Sequence, residues 1–193
     1  MKIMTVLGSP RRFGNTAKVL GWFEDELQKL GHAVEQVYVG DGRIMPCKGC
    51  GACKRVLKAP GCAGEDTAND IFAQMLLCDI VVLASPLYCW GITSQLKALI
   101  DRSYCMLKDD PKDNSLLAGL RLALVLTGGG PIEENLDLAV PPYRAFAEYF
   151  QCRDAGTLLV PSCSEPAKMG PEIEKQARQF ARKVVTNHSR APL

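Results

Sequence analysis

Gly8-Ser9-Pro10-Arg11-Arg12-Phe13-Gly14-Asn15-Thr16 is the stretch whose reading decides the fold. It follows a short apolar run, Ile3 to Leu7, and precedes a helical pattern. In that pattern Thr16, Val19, Leu20, Phe23, Leu27 and Leu30 share one face until Gly31 closes it. A strand that loops straight into a helix aims several unpaired backbone N–H groups at one point, where the helix dipole adds about half a positive charge. Ser9 and Thr16 add hydroxyls, Asn15 an amide, and Arg11 and Arg12 guanidinium groups, all of them phosphate partners. The stretch reads as a phosphate cradle; the plainer alternative is an ordinary strand-to-helix turn carrying a surface arginine pair. A nucleoside-triphosphatase loop would need Lys where Asn15 stands, with its glycines one residue closer together. A dinucleotide fingerprint would need glycine where Pro10 stands. A terminal monophosphate such as that of FMN suits what remains.

Working outward, the 193 residues predict one domain spanning the whole chain, with ample size for a buried core. Charged residues make up 23% and hydrophobic ones 47%, the balance of an ordinary globular protein. A net charge of +2 gives no case for nucleic acid or an anionic membrane as a partner. No apolar run approaches the ~20 residues of a membrane span. The run before the cradle is too short for a signal peptide, so nine cysteines point to a reducing, cytoplasmic setting.

Strand and helix patterns alternate along the chain. Strands are expected at Lys2–Gly8, Ala33–Gly40, Asp79–Ala84, Leu120–Thr127 and Asp154–Val160. Between them come the cradle helix, a cysteine-rich loop over Asp41–Gly64, and a short helix marked by Ile71, Phe72, Met75 and Leu76. A helix over Thr93–Met106 follows, then an exposed polar loop, Lys108–Ser115. A helical region over Glu133–Phe150 should be interrupted or kinked near Pro141-Pro142, and Pro171 opens a last helix with Ile173, Ala177, Phe180 and Val184 on one face. This order predicts a doubly wound, five-stranded parallel sheet in a three-layer α/β/α sandwich, with the cysteine loop inserted after strand two. Right-handed crossovers bring the loops after strands one, three and four to one carboxyl edge, where ligands bind.

Ser85-Pro86-Leu87-Tyr88-Cys89-Trp90-Gly91 supplies two aromatics to that edge, either to stack on a flat ring or to fill the core. Thr127-Gly128-Gly129-Gly130 supplies bare backbone N–H groups, either an anion-binding concavity suited to the N1–O2 edge of a reduced flavin or a flexible turn. The cradle, the Ser-Pro-x-Tyr-x-x-Gly-Ile-Thr-Ser-Gln-Leu-Lys motif at 85–97 and the Thr-Gly-Gly-Gly run together resemble the flavodoxin-like NADPH-dependent FMN reductases. With the cysteine loop added, the chain is similar to the iron-sulfur flavoprotein branch. The resemblance implies non-covalent FMN, its phosphate held by Ser9, Arg11, Asn15 and Thr16 and its ring set between Pro86, Leu87, Tyr88 and the Thr127–Gly130 loop. It also implies a homodimer or homotetramer with the flavin near a subunit interface.

Cys47-x2-Cys50-x2-Cys53-x8-Cys62 is the second specific signal. Three thiolates at steps of three can each take a different iron of a 4Fe-4S cubane, with Cys62 returning for the fourth. Free thiols or a zinc ion are the alternatives, though three ligands within seven residues crowd one tetrahedral ion. The final gap of eight is longer than in that branch. Lys48, Lys54, Arg55 and Lys58 surround the loop, positioned to offset an anionic cluster, to receive an acidic ferredoxin-like redox partner, or simply to face water. Cys78 and Cys152 read as buried fillers, Cys89 as a pocket residue or, alternatively, a redox-active thiol, and Cys105 and Cys163 carry no assigned role.

His32 and His188 read as surface residues, and no nucleophile elbow is present, so no protein side chain is expected to be catalytic. Flavin chemistry needs none, because the cofactor carries the reactivity. The expected function is FMN-dependent transfer of electrons between NAD(P)H, or a one-electron protein donor, and a small-molecule acceptor, through an additional cluster. The alternatives are a cluster-free quinone or flavin reductase and a non-enzymatic electron carrier.

Overall fold

Strand β1 (Lys2–Leu7) sits in the interior of the sheet, and its alternating side chains divide between two cores. Ile3 and Leu7 face helices α1 (Asn15–Lys29) and α5 (Pro171–Thr186), packing with Val19, Phe23, Ala177 and Phe180. Met4 and Val6 face α2 (Ala68–Met75), α3 (Ser94–Arg102) and α4 (Val140–Tyr149), packing with Phe72, Leu96, Leu99 and Ala147. A strand buried on both faces must be apolar nearly throughout, as this one is. The computed structural model describes residues 1–109 and 114–186.

Strands β2 (Ala33–Tyr38), β3 (Ile80–Pro86), β4 (Arg121–Thr127) and β5 (Arg153–Val160) join β1 in the parallel order β2-β1-β3-β4-β5. That is the flavodoxin-like order, whose switch point lies between β1 and β3. Register fixes where the chain leaves the sheet: Leu7 lies beside Ala84, and Pro86 beside Thr127. The cradle, the 87–91 loop and the glycine run therefore emerge at one edge. Among the described residues, no helix is long and apolar enough to cross a membrane.

Three local expectations are sharpened or corrected. The break expected near Pro141-Pro142 is an interruption and not a kink: a 3-10 turn at Leu136–Ala139 precedes α4, and the two prolines occupy its first turn, where a missing N–H costs nothing. The third helix is α-helical only to Arg102 and tightens into a 3-10 turn over Ser103–Met106. The polar loop is not exposed at its ends. Lys108 is 4% exposed and Ser115 is 5% exposed, the lysine donating to the carbonyls of Ala59 and Cys105 and the serine to that of Phe150. Residues 110–113 of that loop, and His188, lie outside the described residues.

Candidate functional site

Helix α1 starts without a side-chain cap. Gly14 holds the N-cap position, no acidic residue occupies the first turn, and the first helical bond is Lys18 N–H to the Gly14 carbonyl. The N–H groups of Asn15, Thr16 and Ala17 thus have no intrahelical carbonyl to bond. Helix α3, in contrast, is capped by the Thr93 hydroxyl, which accepts from the Leu96 N–H at 3.3 Å. Within the cradle, Ser9 Oγ accepts from the Arg11 N–H and donates to the Arg11 carbonyl, both at 3.1 Å, closing a tight turn. Thr16 and Thr127 share a hydroxyl hydrogen bond of 2.7 Å, tying the cradle to the end of β4. Asn15 Oδ1 is buried and has no hydrogen-bond partner among the described residues. Pro10, Arg11 and Arg12 are exposed, Arg12 lying over the Tyr38 ring at 4.8 Å.

Two residues outside the sequence-derived set shape this loop. A Cβ on Gly40 would stand 1.9 Å from the Ser9 carbonyl oxygen, so β2 ends directly beneath the cradle. Thr93 Oγ1 donates to the Gly8 carbonyl at 2.6 Å, locking the start of α3 to the end of β1. Thr93 was within a quoted motif; Gly40 had no sequence signal beyond ending a strand.

The second loop is a tight hairpin. Tyr88 and Gly91 exchange both backbone hydrogen bonds around Cys89 (φ 47°) and Trp90 (φ 60°). Non-glycine residues in the left-handed region cost about 1–2 kcal/mol each. The turn holds Trp90 63% exposed and Tyr88 44% exposed, so neither aromatic fills the core. Ser85 is buried, its hydroxyl donating to the Pro86 carbonyl and accepting from the Thr93 N–H. The Leu87 N–H bonds the Thr127 carbonyl, fastening this loop to the glycine run. The Gly128 N–H is committed to the Val160 carbonyl, while Gly129 is exposed and Gly130 half-buried.

The cysteine loop borders a separate recess of about 540 Å³. Cys47, Cys50, Cys53 and Cys62 all line it, joined by Cys105, Lys48, Lys54 and Arg102. Among the described residues, no three Cys, His, Asp or Glu side chains converge closely enough to hold one metal ion. Burial, with Cys62 and Cys53 nearby, pushes the Cys105 thiol up to about 12, so it stays protonated. Lys54 lies 3.8 Å over the Tyr104 ring and bonds the Leu107 carbonyl, whereas Arg55 and Lys58 face solvent. Burial lowers the Lys108 ammonium from its ordinary value. Arg102, whose Nε–H donates to the Cys62 sulfur at 2.9 Å, has no signal in the sequence because its partner Asp66 is distant in the chain.

This sheet order, with an uncapped helix start and two further loops at its switch point, defines a flavodoxin-like mononucleotide-type fold. Residues 1–135 match the NADPH-dependent FMN reductase model, and the chain belongs to that family. A curated iron-sulfur flavoprotein of Archaeoglobus fulgidus is 38% identical over 102 residues, 53% of this chain and 45% of that protein. The chain spans about half the length of the curated relatives it matches. Among solved structures, the NAD(P)H:quinone oxidoreductase of Methanothermobacter marburgensis superposes with a TM-score of 0.72 at 14% identity, covering 97% of this chain and 98% of that one. An FMN-dependent NADH-azoreductase of Bacillus anthracis, solved with FMN, gives 0.70 at 16% identity, covering 95% and 99%.

Proposed function

We propose that this protein is an FMN-dependent NAD(P)H oxidoreductase acting on a small-molecule acceptor. The observation that carries the reading is the uncapped start of α1 at the end of β1, with the buried, unpartnered Asn15 Oδ1 beside it. These residues fit a mononucleotide tail. The N–H groups of Asn15, Thr16 and Ala17 would bind the phosphate, with Ser9 holding the turn in shape. Tyr88, Trp90 and the Thr127–Gly130 run would flank the ring, the free N–H groups of Gly129 and Gly130 facing developing negative charge. Bound there, FMN supplies hydride acceptance from a nicotinamide and release of electrons to the acceptor; the protein binds, orients and shields it. Family membership and the FMN bound in one structural relative support this reading.

We further infer that the cysteine recess holds an iron-sulfur cluster. Four thiols spread around a wide hollow suit a multi-iron cluster, whose ligands need not meet at one point, better than one tetrahedral ion. The name of the Archaeoglobus relative points the same way. The proposed assembly is a homodimer or homotetramer.

The test is direct. Anaerobically purified protein should be yellow, bind added FMN, and oxidise NAD(P)H with a quinone or dye. The double variant Ser9→Ala, Asn15→Leu should lose at least tenfold in FMN affinity with its circular dichroism unchanged. Protein that stays colourless and takes up no FMN would refute the reading. Negligible steady-state NAD(P)H turnover by the flavin-loaded protein would instead make it an electron carrier.

A further inference from the structure

Cys62 is held differently from its neighbours. Cys47 and Cys50 lie exposed on the loop, but Cys62 is fixed at three points. Its N–H donates to Asn69 Oδ1 at 3.0 Å, and its carbonyl accepts from Asn69 Nδ2 at 2.7 Å. Its sulfur accepts from Arg102 Nε at 2.9 Å.

Arg102 is the last residue of α3 and only 3% exposed. Nη1 donates to Asp66 Oδ2 at 2.7 Å and to the Met45 carbonyl at 3.0 Å; Nη2 donates to Asp66 Oδ1 at 3.0 Å. Asp66 in turn accepts from the backbone of Met45 and Ala68. One guanidinium therefore grips the loop before Cys47 and after Cys62. The fit is close: a Cβ on Gly64 would stand 2.4 Å from Nη2. The pair with Asp66 needs only the two terminal nitrogens. The Nε–H, the donor not needed by that pair, is the one aimed at sulfur.

We propose that Arg102 is a positioning residue for the metal site: its Nε–H fixes the Cys62 sulfur at the recess and remains the donor to that sulfur when the cluster is bound. The assignment rests on reading the recess as an iron-sulfur site. Hydrogen bonds to ligating sulfur withdraw charge from a cluster and raise its potential, and such supporting contacts are commonly worth 10–100-fold in metal retention.

Two variants separate this role from that of a plain ion pair. Arg102→Gln places an amide N–H where Nε stood but loses the fork to Asp66; Arg102→Met matches that glutamine in length and loses every donor. Both lose the same charge. After anaerobic reconstitution, iron and sulfide per chain, the cluster's reduction potential and the rate of iron loss to a chelator are measured. Both variants should titrate below the parent because of the lost charge, the Met variant further below, and the Met variant should lose iron at least tenfold faster than the Gln variant. A parent that loads while the two variants titrate alike overturns the assignment alone. A parent that takes up no iron or sulfide overturns the cluster reading along with it. A second measurement needs no variant. Arginine labelled with the heavy nitrogen isotope should show magnetic coupling to the reduced cluster in pulsed electron paramagnetic resonance, and its absence overturns the assignment even if neither variant folds.

Discussion

At the scale of single residues, two glycines on either side of the cradle make opposite predictions. Gly40 has backbone within 1.9 Å of where a Cβ would be, and backbone cannot step aside as a side chain can. Gly40→Ala should push the Ser9 carbonyl away, costing about 1–3 kcal/mol as overpacking does. It should also weaken FMN binding, read by urea unfolding and fluorescence titration. Gly21 lies within α1 with nothing within 4 Å of its Cβ position. Gly21→Ala should stabilise by about 0.5–1 kcal/mol and leave FMN affinity unchanged. The sequence exposed the cradle because Ser9, Asn15 and Thr16 have chemistry that local spacing can place. It could not expose Gly40 or Arg102, whose importance comes from what the fold brings against them. Arg102 in particular reads locally as a charge closing a helix, and only the return of Asp66 makes it a buried clasp.

At the scale of elements, the continuous apolar runs of the inner strands and the 3.6-residue spacing of α1 and α5 were legible because one physical cause, burial in or against the sheet, dominates them. Helix ends were less legible, since Pro141 and Pro142 fit a kink or a first turn equally well until the preceding 3-10 turn is seen. The cysteine loop has too little apolar periodicity to read at all; polar clasps hold it instead. That makes it pH-sensitive. Burial alone would raise the Asp66 carboxyl, but hydrogen bonds from Arg102 and from the backbone of Met45 and Ala68 outweigh it, holding it below the usual carboxylate range. A group with a lowered folded pKa contributes its full stability above the unfolded value, about 4, and loses it as pH falls through the folded value. Protease cleavage within 45–66 should therefore be slow at pH 7 and accelerate below about pH 4. Asp66→Asn should cleave fast at neutral pH and show no further acid acceleration.

At the scale of the whole molecule, α3 is the element that the two proposed sites share. Its first residues lock to the cradle through Thr93, and its last residue grips the cysteine loop through Arg102. The nine steps between them span about 14 Å at the helical rise. A rigid strut can set the spacing of two sites without making the occupancy of one depend on the other, because substitutions so far apart with no shared partner usually act additively. FMN binding only the folded chain should stabilise it by about 2.7 kcal/mol at a hundredfold excess over its dissociation constant. For a chain of this size that is a rise in Tm of about 5–11 °C. Cys62→Ala should lose iron yet keep the whole FMN-dependent rise, and the Ser9→Ala, Asn15→Leu variant should keep iron while losing the rise. Thr93→Ala should differ from both. It removes the α3 cap, worth about 0.5–2 kcal/mol, and leaves the Gly8 carbonyl without its hydroxyl partner. Its FMN-dependent rise should shrink while its iron content holds. Loss of iron in Thr93→Ala, measured alongside the thermal shift, would mean that the helix transmits strain between the sites instead of merely spacing them.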